Sequence, residues 1–424
     1  MALERIELFN KKEFFSFLLF CLLILSYSLL INFQEYKKLT RFDSVLIDAR
    51  VLKQYAKTKG TKEYQVLKLK SDNGTTFYTS ANKKFKEAKG KKLHLEIWTK
   101  ELSFYKYLTG FYAFSKIISI DEEETLKQKL NSFLASKHKD ENIANMYQAL
   151  YSASALSKEL QTTFSTLGVS HLLAISGFHL GVLSALLFFL FRPIYTFFQN
   201  IYFPYTNSKT HLFILVASFL FFYLLFLDYP PSLLRSFVML LVGFTLFDRG
   251  IKIISMQTLA LTIILILSFA PKLFFALGFW LSVSGVFYIF LFLIHFKHLS
   301  KIWQFILVPF WVYLLMLPFS LSIFGNFSIY HPLSILWTSL FSIFYPLSIV
   351  LHLVSQGDIF DPLLLNLINL SNGNEPIHLS IIWIIFHIGL SLTSIYKRPF
   401  MFILLCESII FFLYFFYNIM QKAF

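Results

Sequence analysis

Ser176 stands between two histidines in the run His171-Leu-Leu-Ala-Ile-Ser-Gly-Phe-His-Leu-Gly181, and a hydroxyl near an imidazole permits two chemistries. One is a serine nucleophile with a histidine base, using Ser176 with His171 or His179. The other is a lining of neutral hydrogen-bonding groups along an aqueous path. A third reading is packing alone, in which Ser176 and Gly177 let helices approach and the histidines bond to nearby backbone. The run opens a long apolar segment, where a charged side chain facing hydrocarbon costs about 2.5–3.5 kcal/mol, so polar groups there face protein or water. Arg235 is the next candidate, five residues after the pair Pro230-Pro231. It either pairs with Asp228 or presents a planar five-donor fork to an anion such as phosphate.

The elements that must position these groups are helices in a membrane. Of the 424 residues, 56% are hydrophobic and 53 are Phe, more apolar surface than a water-soluble fold can hide. The first apolar run, Phe14 to Ile31, follows Arg5, Lys11 and Lys12 and lacks a small-residue cleavage site, so it reads as a retained anchor with a cytoplasmic N-terminus. Nine further apolar segments are expected at 171–191, 210–228, 231–247, 253–270, 272–295, 302–319, 332–355, 379–396 and 399–418. Loops carrying Arg192 and Lys209, Arg249 and Lys252, and Lys297 and Lys301 then fall on the cytoplasmic side. Lys397 and Arg398 break that bias, which implies that one late segment does not span. Pro346 marks a re-entrant hairpin in 332–355 as the expected place. Cys21 and Cys406 both lie in apolar runs and suggest neither a disulfide framework nor a metal site.

The positive charge is localised. From Arg41 to Lys116 there are 17 Lys and Arg against 7 Asp and Glu, a net +10 of the chain's formal +14. Alternating patterns at Ser44–Tyr55, Tyr64–Leu69, Phe77–Thr79 and Leu93–Trp98, separated by turn signals, predict a small OB-like β-barrel. Phe104–Ile120 and Asp121–Lys158 are expected as interfacial amphipathic helices, with Asp121-Glu-Glu-Glu124 as a helix start. The expected fold is therefore a polytopic α-helical membrane protein with a small extracytoplasmic all-β, OB-like domain. Its parts are an anchor at 1–31, the basic β-domain at 32–103, interfacial helices at 104–170 and a transmembrane channel domain at 171–424. Cations interleaved with aromatic residues suit a sugar–phosphate backbone and stacked bases, or acidic lipid headgroups. No Gly-x-x-x-x-Gly-Lys-[Ser/Thr] loop occurs, so work on a substrate requires another protein.

The run 171–181 resembles the signature of the ComEC family, the inner-membrane channels that take up transforming DNA. Ser232-Leu-Leu-Arg-Ser236 with Met239, Pro271, Gly278-Phe-Trp-Leu-Ser282, Leu317-Pro-Phe319 and Phe324-Gly-Asn-Phe-Ser328 are similar, in order, to the family's later landmarks, and Gln148–Gly168 to its preceding helix. The resemblance covers about 110–400, and more weakly the β-domain. Trp280 departs from the family's usual Gln, and the metallo-β-lactamase-like domain of many members has no counterpart here, since no His-x-His-x-Asp-His run occurs.

The resemblance implies a channel passing single-stranded DNA across the cell inner membrane during natural competence, without enzymatic activity, cofactor or metal. The expected lining is His171, Ser176, Gly177, His179, Arg235 and Ser282. The expected DNA contacts are Arg50, Lys53, Lys68, Lys70, Lys83, Lys84, Lys91, Lys92, Tyr78 and Trp98. Single-stranded DNA, membrane lipids, a periplasmic DNA-receptor protein and a cytoplasmic helicase-like motor are the implied partners. The rival readings are an intramembrane serine hydrolase and a lipid or polymer transporter. Ala174 weakens the first, because it stands where the rhomboid-type Gly-x-Ser-Gly motif has glycine.

Overall fold

The computed structural model describes residues 11–59, 62–121, 125–202, 205, 207–250, 253–370, 375–376 and 379–423. The chain divides into two compact units, one of Lys11–Ser136 with Ile264–Ala276, the other of Lys137–Ile263 with Leu277–Phe424.

The first unit contains α1 (Lys11–Leu39), β1 (Ser44–Lys59), β2 (Lys62–Ser71), β3 (Thr76–Asn82), β4 (Lys92–Trp98), α2 (Phe104–Thr109), β5 (Phe111–Tyr112), β6 (Ser115–Ile120) and α3 (Leu126–Lys137). The strands form one sheet in the order β5-β3-β2-β1-β4-β6, with β3 and β5 parallel and the other pairs antiparallel. Long β1 serves both β2 and β4, and its register slips between Val51 and Lys53. Such a bulge bends a strand and strengthens its twist, which lets one strand join two halves of a curled sheet. The arrangement is consistent with the OB-like expectation. Alternation puts Leu67, Leu69, Phe77, Leu93, Leu95 and Ile97 on one face, all essentially without solvent exposure, with Tyr107 and Phe111 packed among them.

The β-domain extends further than 32–103. Phe104–Ile120, expected as a surface helix, is helical only to Thr109 and then adds β5 and β6 to the sheet. The reason is chemical: Ser115-Lys-Ile-Ile-Ser-Ile120 is β-branched and pairs along β4. The anchor helix likewise runs past Ile31 to Leu39. Glu122–Glu124, Arg5 and Lys252, which the sequence reading used, lie outside the described residues.

The second unit is built from α4 (Glu141–Ser152), α5 (Lys158–Thr166), α6 (Ser170–Leu173), α7 (Gly177–Tyr202), α8 (Ser208–Phe226) and α9 (Pro231–Asp248), followed by α10 (Met256–Phe269), whose end belongs to the first unit. Then come α11 (Leu277–His295), α12 (Lys301–Phe324), β7 (Asn326–Phe327), α13 (Ser334–Leu353), α14 (Asp361–Asn369), β8 (Glu375–Pro376), α15 (Ile381–Thr393) and α16 (Arg398–Ala423). Among the described residues eight helices are long and apolar enough to cross a membrane: α1, α7, α8, α9, α11, α12, α13 (with the turn before it) and α16. The protein is a multi-pass membrane protein with a small β-sheet domain near its N-terminus.

Two of the ten expected crossings fall short. At about 1.5 Å per residue, the 14 residues of α10 and the 13 of α15 reach only about 20 Å, against roughly 30 Å of hydrocarbon. Losing both crossings leaves the charge conflict at Lys397 and Arg398 in place and moves Lys297 and Lys301 to the same side, and no re-entrant hairpin at Pro346 relieves it. Pro346 sits inside the continuous helix α13, where the turn it weakens is tolerated.

A tight contact fixes the approach to the signature run. Gly168 has φ +71, and a Cβ there would lie 2.7 Å from the ring of buried His331, whose Nδ1 is 2.9 Å from the Tyr313 hydroxyl. Gly168→Ala is expected to destabilise the protein by about 1–3 kcal/mol through backbone strain, before the His331 overlap is added. Thermal unfolding in detergent checks this, and a loss below about 0.5 kcal/mol would show that the turn is not held in place.

Candidate functional site

Two places gather the residues singled out by sequence. In the helical unit, Ser176 immediately precedes α7, whose first backbone N–H groups have no acceptors within the helix. The Phe178 amide donates to Ser176 Oγ at 3.3 Å, and the Ser176 amide donates back to His179 Nδ1 at 3.2 Å. This is a reciprocal helix cap, with histidine in the position usually held by Glu or Gln. Ser176 Oγ is also 3.1 Å from His179 Nδ1. The serine–histidine pair thus exists, but it is engaged in starting a helix. Because Nδ1 accepts the amide, the neutral ring carries its hydrogen on Nε2, and the buried ring packs edge-on against Phe341 and Tyr345 with the Leu172 backbone beside it.

The capped turn is bound to α9. Ser232 Oγ donates to the Ile175 carbonyl at 2.6 Å, and Gly177 meets α9 so closely that a Cβ would overlap Ser236 Oγ and lie 3.2 Å from Arg235 Nη2. Arg235 is only 4% exposed. The two bonds described for its guanidinium run along its own helix, to Met239 Sδ at 2.8 Å and Ser236 Oγ at 2.9 Å, while Nε has no hydrogen-bond partner. Asp228, the carboxylate that the sequence offers it, stands at φ 63 in the turn before α9. Of the expected lining, Ser176, Gly177, His179 and Arg235 therefore meet at one place. His171 sits apart on α6, donating from Nδ1 to the Gly168 carbonyl at 3.0 Å with Nε2 3.0 Å from Thr338 Oγ1, and half-buried Ser282 lies on α11, which packs on α9.

In the β unit, register assembles a cationic face. Arg50 pairs across to both Lys70 and Lys92, and Lys53 pairs with Lys68, which pairs with Tyr78. These side chains alternate with the core residues and so point away from the core. Like charges directly opposite destabilise a sheet, so this arrangement is one the fold tolerates and an anion would relieve. Desolvation lowers the pKa of Lys68 and, together with Lys68 as a like-charged neighbour, that of Lys53. The Lys68 ammonium also lies over the Tyr78 ring, 5.6 Å from its centroid.

The other expected contacts differ. Lys92 bonds to Asp72 at 2.8 Å and lies 3.4 Å from Asp48, and Lys83 is paired with Glu63. Lys83, Lys84 and Lys91 are in turns beside the strands, and exposed Trp98 ends β4, about 20 Å along that strand from Lys92. A cavity of about 390 Å³ between α1 and the sheet is lined by Glu35, Asp48 and Asp72, a charge that repels phosphate.

Residues 151–421 match the family model described as Competence protein, which covers the signature run, α9 and every helix after it. The chain belongs to the competence protein family, as its ComEC-type signature implied. No curated protein and no solved structure matches it. The cationic face of this competence protein lies outside the matched region, whereas the capped turn and Arg235 lie within it.

Two polar clusters in this competence protein carry no motif in the sequence. His138 Nδ1 is 2.9 Å from Asp361 Oδ1, His138 Nε2 is 3.0 Å from His352 Nε2, and His352 Nδ1 donates to the Ser348 carbonyl at 2.7 Å, with Tyr147 stacked on the His138 ring. A second cluster joins His387, Glu407, Tyr288 and Ser391. The available signal was His352, His387 and Glu407 inside apolar runs, where an ionisable residue marks a partner across the bundle. Among the described residues no group of three or more His, Cys, Asp or Glu is arranged to hold a metal ion.

The cap makes two quantitative demands. Ser176→Ala should cost about 1 kcal/mol of stability and Ser176→Asn much less, read by thermal unfolding, because either oxygen can accept the Phe178 amide. Equal losses would refute the cap. Gly177→Ala should lose about 1–3 kcal/mol by overpacking, and Ser236→Ala in the same chain should recover part of it.

Proposed function

We propose that this protein is the channel through which single-stranded DNA crosses the cytoplasmic membrane in natural transformation. Membership of the competence family supports a role in DNA uptake. The observation that carries the finer reading is the cationic face, because Arg50, Lys53, Lys68 and Lys70 sit in facing register beside Tyr78, where phosphates neutralise the cations and a base can stack. The β-domain, on this reading, is extracytoplasmic and gathers the strand, which a periplasmic receptor delivers. The helical unit then passes it on, with Arg235 offering the guanidinium fork and Ser176, Gly177 and His179 forming the turn beside it. A cytoplasmic helicase-like motor supplies the work. The lipid-transporter reading makes the same face a headgroup site, and the test below separates the two. The hydrolase reading finds no support in a serine and a histidine that are both committed to capping α7.

Full-length protein in nanodiscs is expected to bind single-stranded DNA with an affinity that falls about 50-fold between about 50 and about 200 mM salt, as neutralising about four phosphates requires. Lys53→Glu with Lys68→Glu should flatten that dependence and reduce labelled-DNA import into competent cells, and Lys84→Glu should do so far less. Binding to anionic vesicles without binding to DNA favours the lipid reading. Arg235→Ala should lower import while leaving binding at the β face unchanged. Unaltered import in that variant removes Arg235 from the path.

A further inference from the structure

Glu407 is the one acidic residue of α16, and His387 lies within the apolar helix α15. His387 Nδ1 is 2.7 Å from Glu407 Oε2, with the histidine side chain fully buried and the glutamate side chain 10% exposed. The other ring nitrogen, Nε2, is 3.0 Å from the Leu315 carbonyl of α12 and 3.0 Å from the Tyr288 hydroxyl of α11. A carbonyl oxygen accepts only, so Nε2 must carry a hydrogen. The hydroxyls agree: Ser391 Oγ donates to the His387 carbonyl at 2.7 Å, leaving it to accept from Tyr288 at 2.8 Å, which leaves the Tyr288 oxygen to accept from Nε2.

With Nε2 protonated, a neutral imidazole turns the lone pair of Nδ1 toward Glu407. An ionised carboxylate there would set two acceptors against each other at 2.7 Å. The contact is satisfied only when one more proton lies between them, as a carboxylic acid donating to imidazole or as imidazolium donating to carboxylate. Glu407 Oε1 is buried with no hydrogen-bond partner, which further penalises the bare carboxylate.

We propose that His387 and Glu407 form a proton-binding site inside the membrane-spanning unit, whose ligand is a single proton shared across α15 and α16. This inference is independent of whether DNA is the cargo. Tyr288 of α11 is the titratable side chain bonded to the pair. Beside it, α12 contributes the Leu315 carbonyl and Phe319, and α15 contributes Ser391. His295 of α11 is bonded elsewhere, to the Ser394 carbonyl.

The test is magnetic resonance of the full-length protein in lipid vesicles, with nitrogen-labelled histidine and carbon-labelled glutamate, from about pH 6 to about pH 9. The expected result at about pH 7 is an acid signal from Glu407 or an imidazolium signal from His387, assigned by its loss in Glu407→Gln or His387→Gln. An ionised Glu407 beside a neutral His387 at that pH overturns the proposal, and the wild-type spectrum decides this even if a variant fails to fold. Stability gives a second readout with a definite sign. The contact is satisfied only while the proton is held, so the site's contribution to stability is lost once alkaline solution removes that proton. The glutamine amide of Glu407→Gln donates to Nδ1 without titrating, so the wild-type advantage in melting temperature should shrink as the solution becomes alkaline. An advantage that grows with pH contradicts the site.

Discussion

The helical unit depends on satisfying the first backbone amides of α7 at the point where the chain enters an apolar helix. A helix end leaves several backbone N–H groups without intrahelical acceptors, and leaving even one buried and unpaired costs about 1–3 kcal/mol. Ser176 and His179 answer this reciprocally, one from each side of the first turn. The turn is then immobilised from α9 by the Ser232 bond to Ile175 and by the close approach at Gly177. The signature residues are thus accounted for first by backbone satisfaction. What that leaves over is Arg235 Nε, buried without a hydrogen-bond partner. Buried polar groups are nearly always paired, so this exception asks for an explanation.

The β unit obeys a different constraint. Its core is conventional, with aliphatic residues alternating inward from β1 to β4, and that same alternation fixes what points outward. A register shifted by one residue would bury Arg50, Lys68 and Lys70 and expose Leu67 and Leu69. The apolar core therefore holds the cations in facing rows, and their mutual repulsion is the consequence of a register chosen by burial. Lys92 is relieved by Asp48 and Asp72 at one edge of this face, whereas Lys53 has the like charge of Lys68 as its neighbour.

Much of this was legible in the sequence because it follows from periodicity. The four long strands, the anchor and the seven later long helices come from alternation of two and from apolar length. Cationic residues alternating with apolar ones announced a charged face, though only pairing could show that Arg50 meets two cations. The misread segments have physical reasons too. Phe104–Ile120 joins the sheet because an unpaired edge of β4 was available to it, which is a tertiary circumstance. Apolar runs at 253–270 and 379–396 look long because flanking loop residues are also apolar, while the helices within them are short. The cap at Ser176 was hidden by its unusual acceptor. Ser-x-x-Glu announces a capping box, but Ser-x-x-His invites a catalytic reading until the backbone is seen. Pairs such as His138 with Asp361, or His387 with Glu407, are separated by 223 and 20 residues, and no local pattern joins them.

The distribution of cations between the units bears on how a polyanion could be handled. Conduction requires sites favourable enough to be entered and weak enough to be left. Surface cations compete with salt and water, so each binds a phosphate weakly and many together bind a strand steeply with ionic strength. A buried arginine behaves in the opposite way: its partner would be desolvated, the interaction would be strong, and a row of such residues would trap a strand. The helical unit has Arg235 buried with Nε unsatisfied, near neutral hydroxyls and an imidazole, and this combination limits how tightly any single phosphate is held. Capture and passage of a polyanion make opposite demands on affinity, and on the proposed reading the facing cation rows of the sheet would serve the first and the neutral polar turn beside one arginine the second.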